Sequence, residues 1–216
     1  MEVRVKICCI ASREEALTAI RLGASAVGLV SEMPSGPGVI PEETIREIAA
    51  TIPPGVSSFL LTSQQEIDAI IEQQKRTGVN TIQLVDELSR GAHQQLRSAL
   101  PGIGIVQVIH VRDERSVEEA ISVAEFVDAL LLDSGNPGLA VKELGGTGRT
   151  HDWSLSRRIR ERAGVPVFLA GGLTPANVRD AIARVSPYGV DVCSGVRRNG
   201  RLDAGKVEQF VRQAKS

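Results

Sequence analysis

Eight times along 216 residues the chain repeats one unit: a short apolar run, a turn, then a stretch whose apolar residues recur at helical spacing. The runs cover residues 3–9, 25–30, 56–61, 80–85, 103–110, 127–133, 165–170 and 190–193. Helical stretches follow at about 14–22, 41–50, 63–77, 87–100, 116–123, 152–163, 174–185 and 203–215, with Ser12, Ser63 and Thr174 expected as N-caps. Strand and helix alternating without a composition shift imply a parallel sheet with right-handed crossovers, expected as a single domain over residues 1–216. Eight such units close most simply as an α/β (β/α)8 TIM barrel. A doubly wound open sheet would carry a G-x-G-x-x-G after its first strand, and none is present. Glycines gather instead after runs two, six, seven and eight, as a ring of loops requires.

The outer face of a barrel strand packs on helices and must be apolar, so polar residues within a strand should point inward. That puts Lys6 and Cys8 inside and Val3, Val5, Ile7 and Cys9 outside. By the same parity Ala129, Leu131 and Asp133 point inward, and Asp191 pairs with Cys193 on the inner face. Polar groups from three strands thus converge on one cavity. Leu130-Leu131-Leu132 stops at Asp133, which reads as the C-terminal tip of a buried strand, the end of a barrel where chemistry is carried out. Gly145 to Arg149 then offers bare amides and a cation. Gly171-Gly172 and Ser194-Gly195, at adjacent strand ends, suit a phosphate, because glycine lets backbone amides approach its oxygens. A carboxyl and a thiol facing each other across such a rim point to proton transfer on a sugar phosphate more than to hydrolysis. His93 and His151 are expected to be solvated, and His110, ending the fifth run, is a candidate for the rim.

A net charge of −1 and 3% aromatic residues argue against a nucleic-acid partner or an anionic membrane surface. No apolar stretch has the length of a membrane span, and the charges within Met1-Glu2-Val3-Arg4-Val5-Lys6 argue against a signal peptide. Three cysteines, two of them adjacent, make neither a disulfide framework nor a zinc spacing. The expectation is a cytoplasmic protein, monomer or homodimer, whose partner is a small phosphorylated molecule.

Five segments carry a family resemblance: Lys6-Ile7-Cys8; Leu131-Leu132-Asp133; Gly145-Gly146-Thr147-Gly148-Arg149-Thr150-His151-Asp152-Trp153; Gly171-Gly172-Leu173-Thr174-Pro175-Ala176-Asn177-Val178; and Val190-Asp191-Val192-Cys193-Ser194-Gly195-Val196. Together they resemble phosphoribosylanthranilate isomerase of tryptophan biosynthesis nearly end to end. The resemblance implies an Amadori rearrangement of a phosphoribosyl arylamine to an aminodeoxyribulose 5-phosphate, without metal or organic cofactor. It implies Asp133 as general acid, Cys8 as general base, and Lys6, Asp191 and Arg149 as substrate-binding residues. Gly146, Gly148, Gly171, Gly172, Ser194 and Gly195 are implied as the phosphate grip. Since a free thiol is only a few per cent thiolate at neutral pH, a base at Cys8 requires help from the site, with Lys6 the nearest cation in sequence.

The chain also departs from the family. Cys9 stands where the family usually has Gly, Pro37 where an arginine holds the anthranilate carboxylate, Val85 where a histidine is common, and Arg197 where Glu is usual. The missing arginine leaves Arg149, Arg197 and Arg198 as substitutes and keeps two alternatives open. One is the same rearrangement on another phosphoribosyl-amine. The other is a non-catalytic phosphometabolite-binding barrel.

Overall fold

The structure is a computed structural model that describes residues 2–89, 91–135, 142 and 148–216. Eight parallel strands pair in chain order, and the last closes on the first. They are β1 (Arg4–Ile7), β2 (Ala26–Val30), β3 (Ser57–Thr62), β4 (Thr81–Leu84), β5 (Gly104–His110), β6 (Ala129–Asp133), β7 (Val167–Leu169) and β8 (Gly189–Val192). Alternating with them are α1 (Arg13–Arg21), α2 (Glu42–Ala49), α3 (Ile67–Thr77), α4 (Ala92–Ala99), α5 (Arg115–Ala124), α6 (Trp153–Arg162), α7 (Val178–Val185) and α8 (Ala204–Ala214). The (β/α)8 barrel expected from the repeat is the observed fold.

Alternation along the strands divides the core into two layers. Val5, Ile7, Leu60, Ile82, Leu130 and Leu132 face outward and pack with helix residues such as Ile45, Ile70, Leu96 and Phe210. Cys8, Phe59, Val106, Val108, Leu131 and Phe168 fill the lumen, where the two Phe rings meet edge to face, 5.9 Å between centroids. A lumen packed this way is a core, not a channel, so space for a ligand is left at the C-terminal ends of the strands.

The helix starts show which local rules held. Ser12 Oγ accepts the Glu15 amide at 3.2 Å, and the Asp203 carboxylate accepts the Lys206 amide at 3.1 Å. Ser63 caps nothing, because α3 begins four residues later, at Ile67. Thr174 is not the cap of α7 either. The Asn177 side chain accepts the Thr174 amide at 2.8 Å and donates to the Gly172 carbonyl at 3.0 Å, which builds a turn and delays the helix to Val178. The fourth helix starts at Ala92, after Gly91 in a left-handed conformation, rather than at residue 87.

Cys9 corrects the parity argument. β1 ends at Ile7, and Cys9 has φ +61°, so alternation no longer applies and its thiol joins the lumen layer. Gly38, in the loop after β2, makes the space: a Cβ there would lie 2.5 Å from that of Cys9.

Candidate active site

Cys8 lies just beyond β1, held in line by its amide, which donates to the Val192 carbonyl at 2.8 Å. Its thiol and the Lys6 ammonium occupy room that exists only because β2 has Gly28 opposite. A Cβ on Gly28 would stand 2.8 Å from Cys8 Sγ and 3.1 Å from Lys6 Nζ. Lys6 is fully buried, its Nζ 3.0 Å from Asp191 Oδ1 and 5.1 Å from the centre of the Phe59 ring. Burial pulls the lysine pKa down, but Asp191 and the Cys8 and Cys9 thiols outweigh it, and the net shift is upward. Burial raises Asp191, against the pull of the Lys6 charge.

Asp133 ends β6 on the inner face, 8% exposed, and its Oδ1 accepts the Ser134 amide at 2.7 Å. Burial holds its carboxyl above the ordinary range, the Asp191 charge adding to the rise and the Ser134 amide opposing it. A carboxyl displaced in this direction holds its proton to a higher pH than a solvated one does.

One cavity collects Cys8, Asp133, Asp191, Gly171 and Ser194, with Met33, Ser35, Gly36 and Pro37 of the loop after β2 at its mouth. Five of the residues singled out from sequence are therefore brought together, and Lys6 sits beneath them through Asp191. Gly172 and Gly195 are one layer back, where the loops abut. A Cβ on Gly172 would meet the Arg149–Thr150 peptide at 2.6–2.7 Å, and one on Gly195 the Leu173 carbonyl oxygen at 2.1 Å. Gly148 approaches Ser194: a Cβ there would lie 3.8 Å from its Oγ. The amides of Gly171, Gly172, Ser194 and Gly195 donate to no acceptor among the described residues. Arg149 contributes its backbone to this packing and is exposed, and it does not line the cavity. Gly146 lies outside the described residues.

Two of the candidate cations are committed elsewhere. Arg197 binds Glu15 at 2.9 and 3.2 Å, the Gly200 carbonyl at 2.9 Å and the Cys9 carbonyl, tying the end of β8 to α1. Arg198 pairs with Asp203 at 3.0 Å on the surface. Lys142 stands at the mouth instead, its carbonyl accepting the Ser35 hydroxyl and its ammonium paired with Asp86.

Two of the three histidines differ from expectation. His93 is buried, its Nε2 2.9 Å from Gln107 Oε1, because α4 turns it against β5. His151 is partly buried on Ser156 Oγ at 2.6 Å, and burial lowers its pKa to about 4. His110 is at the rim, 6% exposed. Gly28 and Gly38 were not singled out from sequence, although a glycine inside an apolar strand, as Gly28 is, signals a close approach. Among the described residues no group of three His, Cys, Asp or Glu side chains could hold a metal ion, and no helix is long and apolar enough to cross a membrane.

The model of the N-(5'-phosphoribosyl)anthranilate isomerase family matches residues 5–213. The enzyme of that name from Haloferax volcanii is 37% identical over 99% of this chain and 93% of its own length. A second from Methanosarcina mazei is likewise 37% identical, over 99% of this chain and 95% of its own. Phosphoribosyl anthranilate isomerase from Thermotoga maritima superposes with a TM-score of 0.85 at 35% identity, covering 99% of this chain and 98% of that one. A phosphoribosyl anthranilate isomerase in complex with reduced 1-(o-carboxyphenylamino)-1-deoxyribulose 5-phosphate superposes at 0.82 with 33% identity, covering 99% and 98%.

Proposed function

The chain belongs to the N-(5'-phosphoribosyl)anthranilate isomerase family, and from that premise we propose that it is an aldose–ketose isomerase converting N-(5'-phosphoribosyl)anthranilate to 1-(2-carboxyphenylamino)-1-deoxyribulose 5-phosphate. The observation that carries the reading is the meeting of Cys8, Asp133 and Asp191, from three strands, in one cavity edged by Gly171 after β7 and Ser194 after β8.

Asp133, protonated, donates to the furanose ring oxygen. The C1–O bond breaks, and the nitrogen lone pair forms the C1=N bond of an iminium. Cys8, as thiolate, takes the proton from C2, whose electrons move to C1=C2 and on to nitrogen, giving an enolamine. Tautomerisation of the enolamine yields the 2-ketone. Two supports for these roles are the raised Asp133 carboxyl and the position of the Cys8 thiol on the wall of the same cavity. Asp191, braced by Lys6, faces the same space and suits the sugar hydroxyls. The phosphate lies on the unused amides of Gly171, Gly172, Ser194 and Gly195, with Gly148 beside them. The arylamine then lies toward Met33, Ser35 and Pro37 at the cavity mouth.

The test is direct: purified protein is mixed with N-(5'-phosphoribosyl)anthranilate and loss of its fluorescence followed. Turnover abolished in Cys8→Ala and in Asp133→Asn is expected. Activity unchanged in both variants would remove the acid–base assignment. The loop after β2, with Pro37 at the cavity mouth and no arginine, favours one second reading: the same rearrangement on a different phosphoribosyl-amine. Silence on the anthranilate substrate with turnover of another aminoribosyl phosphate would select it.

A further inference from the structure

Of the buried glutamines, Gln83 alone is left without a hydrogen bond among the described residues. Gln73 donates to Glu42 at 2.9 Å, Gln74 to the Val79 carbonyl at 2.9 Å, and Gln107 meets His93 at 2.9 Å and the Leu84 carbonyl at 3.2 Å. Gln83 is 3% exposed, and its Oε1 is buried with no partner. β4 turns it to the lumen: Ile82 and Leu84 belong to the outer layer, while Leu61 on β3 and Val106 on β5, beside Gln83 in register, belong to the inner one. Both neighbours are apolar and offer the amide nothing. Gln83 lines the cavity that holds Cys8, Asp133 and Asp191. A buried amide without a partner costs stability, and a ligand that supplies the missing bond accounts for keeping it. Its place in the ring says which part of the substrate that is. Eight strands close in chain order, so β4 stands across the barrel from β8 and the phosphate end at Ser194. Asp133 on β6 and Cys8 after β1 stand on either side of that line. Held by its phosphate, the sugar presents C1 and the amine it carries to the β2–β4 side, where Val30, Leu61 and Gln83 line the cavity. The amine nitrogen is the first polar atom of the substrate on that side.

Given the isomerase reading on which this rests, we infer that Gln83 is a substrate-binding residue for the amine, its Oε1 accepting the N–H of the nitrogen at C1. In the substrate that nitrogen is a neutral secondary amine and a modest donor. When the C1–O bond breaks, the same N–H belongs to an iminium cation and donates far more strongly. The proton stays on nitrogen throughout, so Gln83 neither gives nor takes one. The bond tightens as the ring opens and relaxes when the enolamine restores a neutral nitrogen. An interaction stronger in the transition state than in the bound substrate lowers the barrier and leaves substrate affinity nearly alone.

Met keeps the length of Gln and removes the amide. Gln83→Met is expected to have a Tm no lower than wild type, since an unpaired buried amide gives way to an apolar side chain of similar shape. On N-(5'-phosphoribosyl)anthranilate its kcat should fall about ten- to a hundredfold, with KM within about threefold of wild type. A side chain kept for packing gives the opposite, a lower Tm and an unchanged kcat, and that result overturns the inference. So does a loss confined to KM, which would put the amide on a group bound equally in substrate and transition state. If Gln83→Met fails to fold, or the wild type is silent on this substrate, the ¹³C shift of Gln83 Cδ in the wild-type chain decides. Reduced 1-(2-carboxyphenylamino)-1-deoxyribulose 5-phosphate, which carries the N–H, is expected to move it. Ribose 5-phosphate, with the phosphate and hydroxyls but no amine, is expected to leave it in place. A shift moved by neither, or equally by both, overturns the inference. Silence of the wild type is a separate outcome and counts against the anthranilate substrate itself.

Discussion

Replacing Lys6 by Met leaves Asp191 inside the barrel without its cation. Lys6 is 0% and Asp191 7% exposed, and their charged atoms stand 3.0 Å apart, so water replaces the lost partner only from the cavity side. Removing one member of such a pair costs about 3–5 kcal/mol, whereas removing both charges together is often close to neutral. For a chain of this length 1 kcal/mol is worth about 2–4 °C of Tm, so Lys6→Met is expected to lower Tm by roughly 10 °C or more. Lys6→Met/Asp191→Leu should recover most of that loss, although each single change is costly. The assay is thermal and urea unfolding of the four proteins of the cycle by circular dichroism at pH 7. Activity is no guide here, since every variant alters Asp191 or the cation that braces it. A Lys6→Met cost below about 1 kcal/mol, or a double variant as unstable as the sum of the singles, would refute the view that the pair is a desolvated unit.

Three further outcomes follow from the same geometry. Asp133 has a folded-state pKa above its ordinary value, so the folded chain holds a proton the unfolded chain releases, and stability falls as pH rises out of the ordinary carboxylate range. Asp133→Asn should therefore be inactive yet have a higher Tm than wild type at pH 8 and a similar one near pH 4; equal Tm values at both pH values would contradict this. Gly28→Ala forces a methyl to 2.8 Å from Cys8 Sγ, and displacement of the thiol by even a fraction of an ångström should lower kcat by about ten- to a hundredfold, while unchanged kcat would show the lumen to be softer than argued. At Cys9, with φ +61°, Gly should be more stable than Ala by about 1 kcal/mol despite being smaller, as measured by urea unfolding; the reverse order would mean that filling the space beside Gly38 outweighs backbone strain.

Much of this architecture is legible in the order of residues alone. Period-two and period-3.6 patterns are local, and eight of them in alternation leave few closed solutions. Parity then places Lys6, Cys8, Asp133 and Asp191 inside, because an outward-facing charge would sit against the helix layer. Helix starts are less legible where a side chain several residues away builds the turn, as Asn177 does for Thr174.

By itself, then, the sequence determined the barrel and the inward set of polar residues, since both depend only on alternation along a strand. What the tertiary structure decided is how those residues meet. Cys9 leaves the strand pattern through one left-handed residue. Gly28 makes room for Cys8 and Gly38 for Cys9, Arg197 is held by Glu15 across nearly the whole chain, and the His110 ring is held by the carbonyl of Val85, just beyond β4. Each of these is a distance between residues far apart in the chain. Such distances exist only once the eighth strand has closed on the first.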